Sequence, residues 1–61
     1  MNDETFKRGD RVTTPRGPGS VWMSFGKFVD VDLDDEFKVD NKTYRSWLFY
    51  TKADKVTYET N

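Results

Sequence analysis

The chain has 61 residues with no cysteine and no histidine, which predicts one small domain without a disulfide framework or the usual zinc and iron–sulfur ligand sets. Ten basic residues against eleven acidic ones give a formal charge of −1, so no global field draws the chain to DNA, RNA or an anionic membrane. No apolar run nears the ~20 residues of a membrane span and the opening residues are polar and acidic, unlike a signal peptide, so a cytoplasmic location is expected.

Residues 1–5 predict a disordered N-terminus, and Phe6 is the first side chain able to pin the chain to a core. A single domain over residues 6–59 with a tail at 60–61 follows. Residues 10–14 carry a β-branched run that suits a first strand, with Val12 inward and Arg11 and Thr13 outward. Arg8 and Arg11 read as solvated strand-end charge. Pro15-Arg16-Gly17-Pro18-Gly19 supplies two fixed φ angles and two positions free to take positive φ, which predicts a stiff loop. Arg16 stands at its tip, where bracing lowers the entropy lost when a partner immobilises it. Residues 20–25 then alternate, placing Val21, Met23 and Phe25 on one face and Ser20, Trp22 and Ser24 on the other. Trp22 is outward if Val21 and Met23 are inward.

Gly26-Lys27 reads as a hairpin turn into a one-sided third strand, with Val29, Val31 and Leu33 on one face and Phe28, Asp30, Asp32 and Asp34 on the other. Asp30, Asp32, Asp34, Asp35 and Glu36 form the densest charge feature of the chain. They read as a solvated face whose acids pair with lysines and arginines on neighbouring strands. An EF-hand spacing is missing and period-two carboxylates splay, so no metal is expected there; the near-zero net charge also argues against DNA mimicry. Phe37-Lys38-Val39, the turn Asp40-Asn41 and residues 42–47 form a hairpin into the fourth strand. Tyr44, Ser46 and Leu48 share one face of that strand and Arg45, Trp47 and Phe49 the other. Both faces carry aromatics, so parity leaves open which is buried. Residues 56–59 read as the closing strand.

The Gly9-Asp10-Arg11-Val12 start, the Gly17-Pro18-Gly19-Ser20-Val21 turn, the alternating strand after it and the late run from Trp47 to Val56 resemble the small SH3-like barrels. The nearest are the Tudor-like and KOW-type modules at the ends of some bacterial helicases and in transcription factors, and the resemblance spans roughly residues 7–58. It implies an all-β, five-stranded antiparallel SH3-like barrel, with a short 3₁₀ turn over residues 50–55 that points Ala53 inward before the last strand. Tudor-like tails of bacterial helicases dock onto RNA polymerase, and KOW-type modules contact polymerase, ribosomal protein or RNA. RNA polymerase or another nucleic-acid-associated protein is therefore the partner the resemblance implies. A short chain that opens on Met also fits a small reading frame of a phage or mobile element.

No catalytic residue and no cofactor is expected, because no histidine or cysteine exists and no Ser or Thr lies beside a plausible base. The plasmid-borne dihydrofolate reductase, an SH3-like barrel, resembles this chain in its Gly-Asp-Arg-Val opening. Its pore is built from a Val-Gln-Ile-Tyr segment, where this chain has Ser46-Trp47-Leu48-Phe49-Tyr50. The expected core is Val12, Val21, Met23, Val29, Val31, Leu33, Leu48, Ala53 and Val56. Some of Trp22, Phe28, Tyr44, Trp47 and Tyr50 must then face solvent, an apolar surface that a monomer rarely exposes without a use.

The candidate binding residues are thus Arg16, Trp22, Phe28, Tyr44, Arg45, Trp47 and Tyr50. In protein recognition, Trp and Tyr flanked by Arg form the usual hot-spot composition. In nucleic-acid binding, bases would stack on the aromatics while Arg11, Arg16, Lys27 and Arg45 held phosphates. The near-neutral charge, with Asp30, Asp32 and Asp34 beside the platform, favours a protein partner and a small adaptor or inhibitor. Homodimerisation through the aromatic face or an open barrel edge is a third reading.

Overall fold

The computed structural model describes residues 6–59, so the expected disordered N-terminus and C-terminal tail lie outside the described residues. Five strands, β1 (Arg11–Thr14), β2 (Gly17–Phe25), β3 (Phe28–Val39), β4 (Lys42–Tyr50) and β5 (Thr57–Tyr58), form one antiparallel sheet in the order β4-β3-β2-β1-β5. β4 and β5 are its two edges and do not pair with each other. Among the described residues no helix is long and apolar enough to cross a membrane.

The first four strands are joined by two-residue turns at Pro15-Arg16, Gly26-Lys27 and Asp40-Asn41. Asp40 and Asn41 take φ of 51° and 69°, the left-handed pair that a two-residue hairpin needs and that short polar side chains tolerate. The first turn is shorter than the five-residue loop expected from its prolines and glycines, because β2 already begins at Gly17. Pro18 sits inside the strand opposite Thr13, and it is tolerated there because pairing with β3 starts only at Gly19. Stiffness comes instead from Thr14, whose buried hydroxyl donates to the Gly17 carbonyl at 2.8 Å and accepts from the Arg16 N–H at 3.0 Å.

The core gathers Phe6, Val12 of β1, Val21 of β2, Val29, Val31 and Leu33 of β3, Phe49 of β4, and Val56. No second layer exists among the described residues, yet Val12, Val29 and Val31 are fully buried. A single sheet does this only by bending over itself, so that its own inner face supplies the cover. At Gly19 the backbone of β2 lies close against β3. A Cβ there would run into the Asp32 carbonyl oxygen and lie 2.7 Å from Val31 Cγ1, a spacing that real side chains do not show. Phe6 closes the other side, its ring 4.7 Å from that of Tyr58, which pairs with Val12.

Three residues expected in the core are outside it. Met23 is displaced by a β-bulge: Val21 pairs with Val31 and Met23 with Asp30, so Trp22 is an extra residue and the alternation breaks after Val21. Met23 and Phe25 both turn outward as a result. Leu48 is exposed because Phe49, opposite the inward Val29, takes the buried place on β4. Ala53 is exposed because residues 51–55 form a hydrogen-bonded turn and no 3₁₀ helix. Its backbone bonds run from Asp54 to Tyr50, Lys55 to Lys52 and Val56 to Thr51, and Lys55 takes φ 52°; neither the changing span nor that angle belongs to 3₁₀ geometry. Val56, also expected in the core, is buried there.

Candidate functional site

The tight Asp40-Asn41 turn folds the end of β3 back onto β4 and sets Phe37 opposite Tyr44. Their ring centroids are 5.7 Å apart, and Trp47 stands edge-on to both, 5.1 Å from Phe37 and 5.2 Å from Tyr44. Such offset and T-shaped pairs favour the electrostatics of aromatic faces and edges. Arg16 reaches over from the first turn, its guanidinium 4.3 Å from the centre of Phe37 and 5.2 Å from that of Trp47. Three rings and one cation on a braced turn thus form a single cluster, with Phe37 and Trp47 also packed against the core.

A second irregularity makes this arrangement possible. Between the pairs Asp32 with Ser46 and Phe37 with Tyr44, β3 contributes Leu33, Asp34, Asp35 and Glu36 where β4 contributes Arg45 alone. The excess residues bulge out of the ladder and would leave carbonyls unpaired. Arg45 answers them: its Nε donates to the Leu33 carbonyl at 3.3 Å and its Nη2 to that of Asp34 at 3.4 Å. In a regular strand Tyr44 and Trp47 would point to opposite faces; here both are half-buried against each other.

The remaining candidates lie elsewhere. Trp22 is exposed as expected, but as the extra residue of the β2 bulge and not by parity, since Met23 is exposed too; the Arg8 guanidinium sits 3.8 Å over its ring. Phe28 and Tyr50 are cross-strand neighbours with rings 4.7 Å apart, and Phe25 joins them at 5.9 Å from Phe28. Of the seven candidates, the structure therefore brings together Arg16, Tyr44 and Trp47, sets Arg45 in the adjoining bulge, and separates Trp22, Phe28 and Tyr50. Phe37 was not among them. The signal for it was the turn itself, since a two-residue hairpin at Asp40-Asn41 pairs Phe37 with Tyr44 by counting outward.

The acidic strand divides in two. Asp34 accepts two hydrogen bonds from the Arg11 guanidinium, at 2.9 and 2.6 Å, and Arg11 also donates to Glu59 at 3.0 Å and to Ser20 at 3.1 Å. The hydrogen bond from Arg11 holds the Asp34 carboxyl below the ordinary carboxylate range, and the same bonds raise the Arg11 guanidinium. Asp30 moves the other way: burial pushes its carboxyl up, and the charge of Asp32 adds to the effect. No protein-family model matches the chain, and neither a curated protein nor a solved structure matches it.

Proposed function

We propose that the chain is a non-catalytic protein-recognition module, an adaptor or inhibitor built as an SH3-like barrel of the Tudor-like or KOW type. What carries this reading is the Arg16 guanidinium held over Phe37 and Trp47. An arginine fixed on rings loses little rotamer freedom when a partner covers it, and the aromatic floor supplies apolar area at small entropic cost. The barrel assignment is supported by β2, which pairs with β1 through its first half and with β3 through its second, and by β5, which brings the chain back beside β1.

Nucleic acid is the weaker reading, because two of the four cations that would hold phosphates are already engaged. Arg11 is held by Asp34 and Glu59, and Arg45 by the carbonyls of the β3 bulge. Partners of nucleic-acid machinery such as RNA polymerase follow from the family resemblance and from nothing else. The test is capture from a lysate of the source cells, with and without nuclease, by the wild-type chain and by Arg16→Ala. A protein retained after nuclease and weakened by ~2 kcal/mol in Arg16→Ala supports the proposal. A partner lost on nuclease treatment, or one indifferent to Arg16→Ala, removes it.

A further inference from the structure

The outer face of the β2-β3-β4 sheet carries apolar side chains where a solvated face would carry polar ones. Two consecutive rows cross the three strands: Phe25, Phe28 and Tyr50 in one, Met23, Asp30 and Leu48 in the next. Met23 is 52% exposed, Tyr50 49%, Leu48 48% and Phe25 46%, and the Phe25, Phe28 and Tyr50 rings are in contact. These are the alternate residues to those that point Val29 and Phe49 into the core, so the patch is separate from the Arg16 cluster. Contiguous exposed apolar surface of this kind marks an interaction site in a small soluble protein.

The occupant is indicated by the one charge in the middle of it. Asp30 is half-buried among these side chains, and its carboxylate has no hydrogen bond or ion pair among the described residues. The next residue outward on the same face of β3 is Asp32, a second carboxylate. A second copy of the chain seated about a two-fold axis through this patch would bring Asp30 against Asp30 with Asp32 alongside, a like-charge arrangement that costs affinity. A partner that brings a cation meets the opposite condition: it pairs a poorly hydrated carboxylate inside a surface that excludes water.

We propose that this face is a second docking surface, for a protein segment that presents a lysine or arginine flanked by apolar side chains. The cation pairs with Asp30 and the flanking groups cover Met23, Phe25, Leu48 and Tyr50. Partial burial raises the Asp30 carboxyl, and the partner's positive charge offsets that desolvation by favouring the ionised form.

The test is a random peptide library displayed on phage and panned on the wild-type protein. Enriched peptides are then synthesised and titrated against wild type, Asp30→Asn and Leu48→Ser. Both substitutions are on the surface, and circular dichroism checks that the variants fold. The expected result is a basic residue between apolar ones in the enriched peptides, with affinity falling about tenfold or more in each variant. The proposal is overturned if nothing is enriched, if the peptides lack a basic residue, or if Asp30→Asn binds them equally. Peptides lost on Arg16→Ala but not on Asp30→Asn belong to the other site and also overturn it. Sedimentation velocity supplies the last outcome: a concentration-dependent dimer abolished by Leu48→Ser would make the occupant a second copy.

Discussion

Asp30 and Asp34 lie on one strand yet respond to pH in opposite directions. Asp34 is held below its ordinary value by the hydrogen bond from Arg11, so its contribution to stability is present above the ordinary carboxylate range of ~3.9 and is lost as pH falls through the lower, folded value. Asp30 is raised by burial, so folding favours its protonated form and stability falls as pH rises from the ordinary carboxylate value through the higher, folded one. Melting temperatures followed from neutral to strongly acidic pH should show Asp34→Asn flattening the acid loss and Asp30→Asn raising the neutral value. Movement of both variants in the same direction would contradict these environments. The Arg11 pairs are solvent-exposed, so ~1 M salt should shrink the Asp34 effect. Trp22 illustrates the same locality of cause. It is 44% exposed and holds Arg8, so Trp22→Ala should cost the ~0.5–1 kcal/mol of a surface cation–π contact plus the ring's partial burial, short of the ~3–5 kcal/mol of a core tryptophan. Denaturant titration separates the two values clearly.

At the scale of strands, what could be read from the sequence was whatever one strand decides for itself. The period-two pattern of Val29, Val31 and Leu33 names the buried face of β3, and Asp40-Asn41 names its turn. Bulges are decided by two strands together. Nothing local to residues 20–25 records that Trp22 has no opposite number, so the core assignment of Met23 fails one residue later. In β4 both faces carry large side chains, and only its pairing with β3 selects Phe49 over Leu48. The candidate site was half legible for the same reason: Arg16, Tyr44 and Trp47 stand out as residue types, but the bulge that lets Tyr44 and Trp47 meet does not. Gly19 and Gly26 separate two requirements that look alike in a sequence. Gly26 has φ 61° and open space around it, so Gly26→Ala should cost about 1–2 kcal/mol of backbone strain. Gly19→Val must displace the β3 backbone and should cost more. Equal denaturation midpoints for the two variants would show that β2 and β3 are not in such close approach.

For the molecule as a whole, one sheet provides both the core and the exposed Met23, Phe25, Leu48 and Tyr50 patch, by sending residues of the same strands inward and outward. Exposed apolar residues are therefore not evidence of poor packing, since the inner face is fully supplied without them. The manner in which the sheet is completed also bears on how fast it forms. Its first four strands are joined by two-residue turns, whereas β5 is two residues long and must return to β1 from the far end of the described chain. Loop closure is nearly free for the three hairpins and slow for the last pairing, so the folding transition state should contain the hairpins and lack β5. Val56→Ala, losing about 2 kcal/mol of buried contact beside β5, should speed unfolding in stopped-flow measurements and leave the folding rate almost unchanged. A folding rate slowed by the whole of that loss would put β5 in the nucleus. With β5 docking late, the lifetime of the folded state, and not the speed of reaching it, rests on the shortest strand.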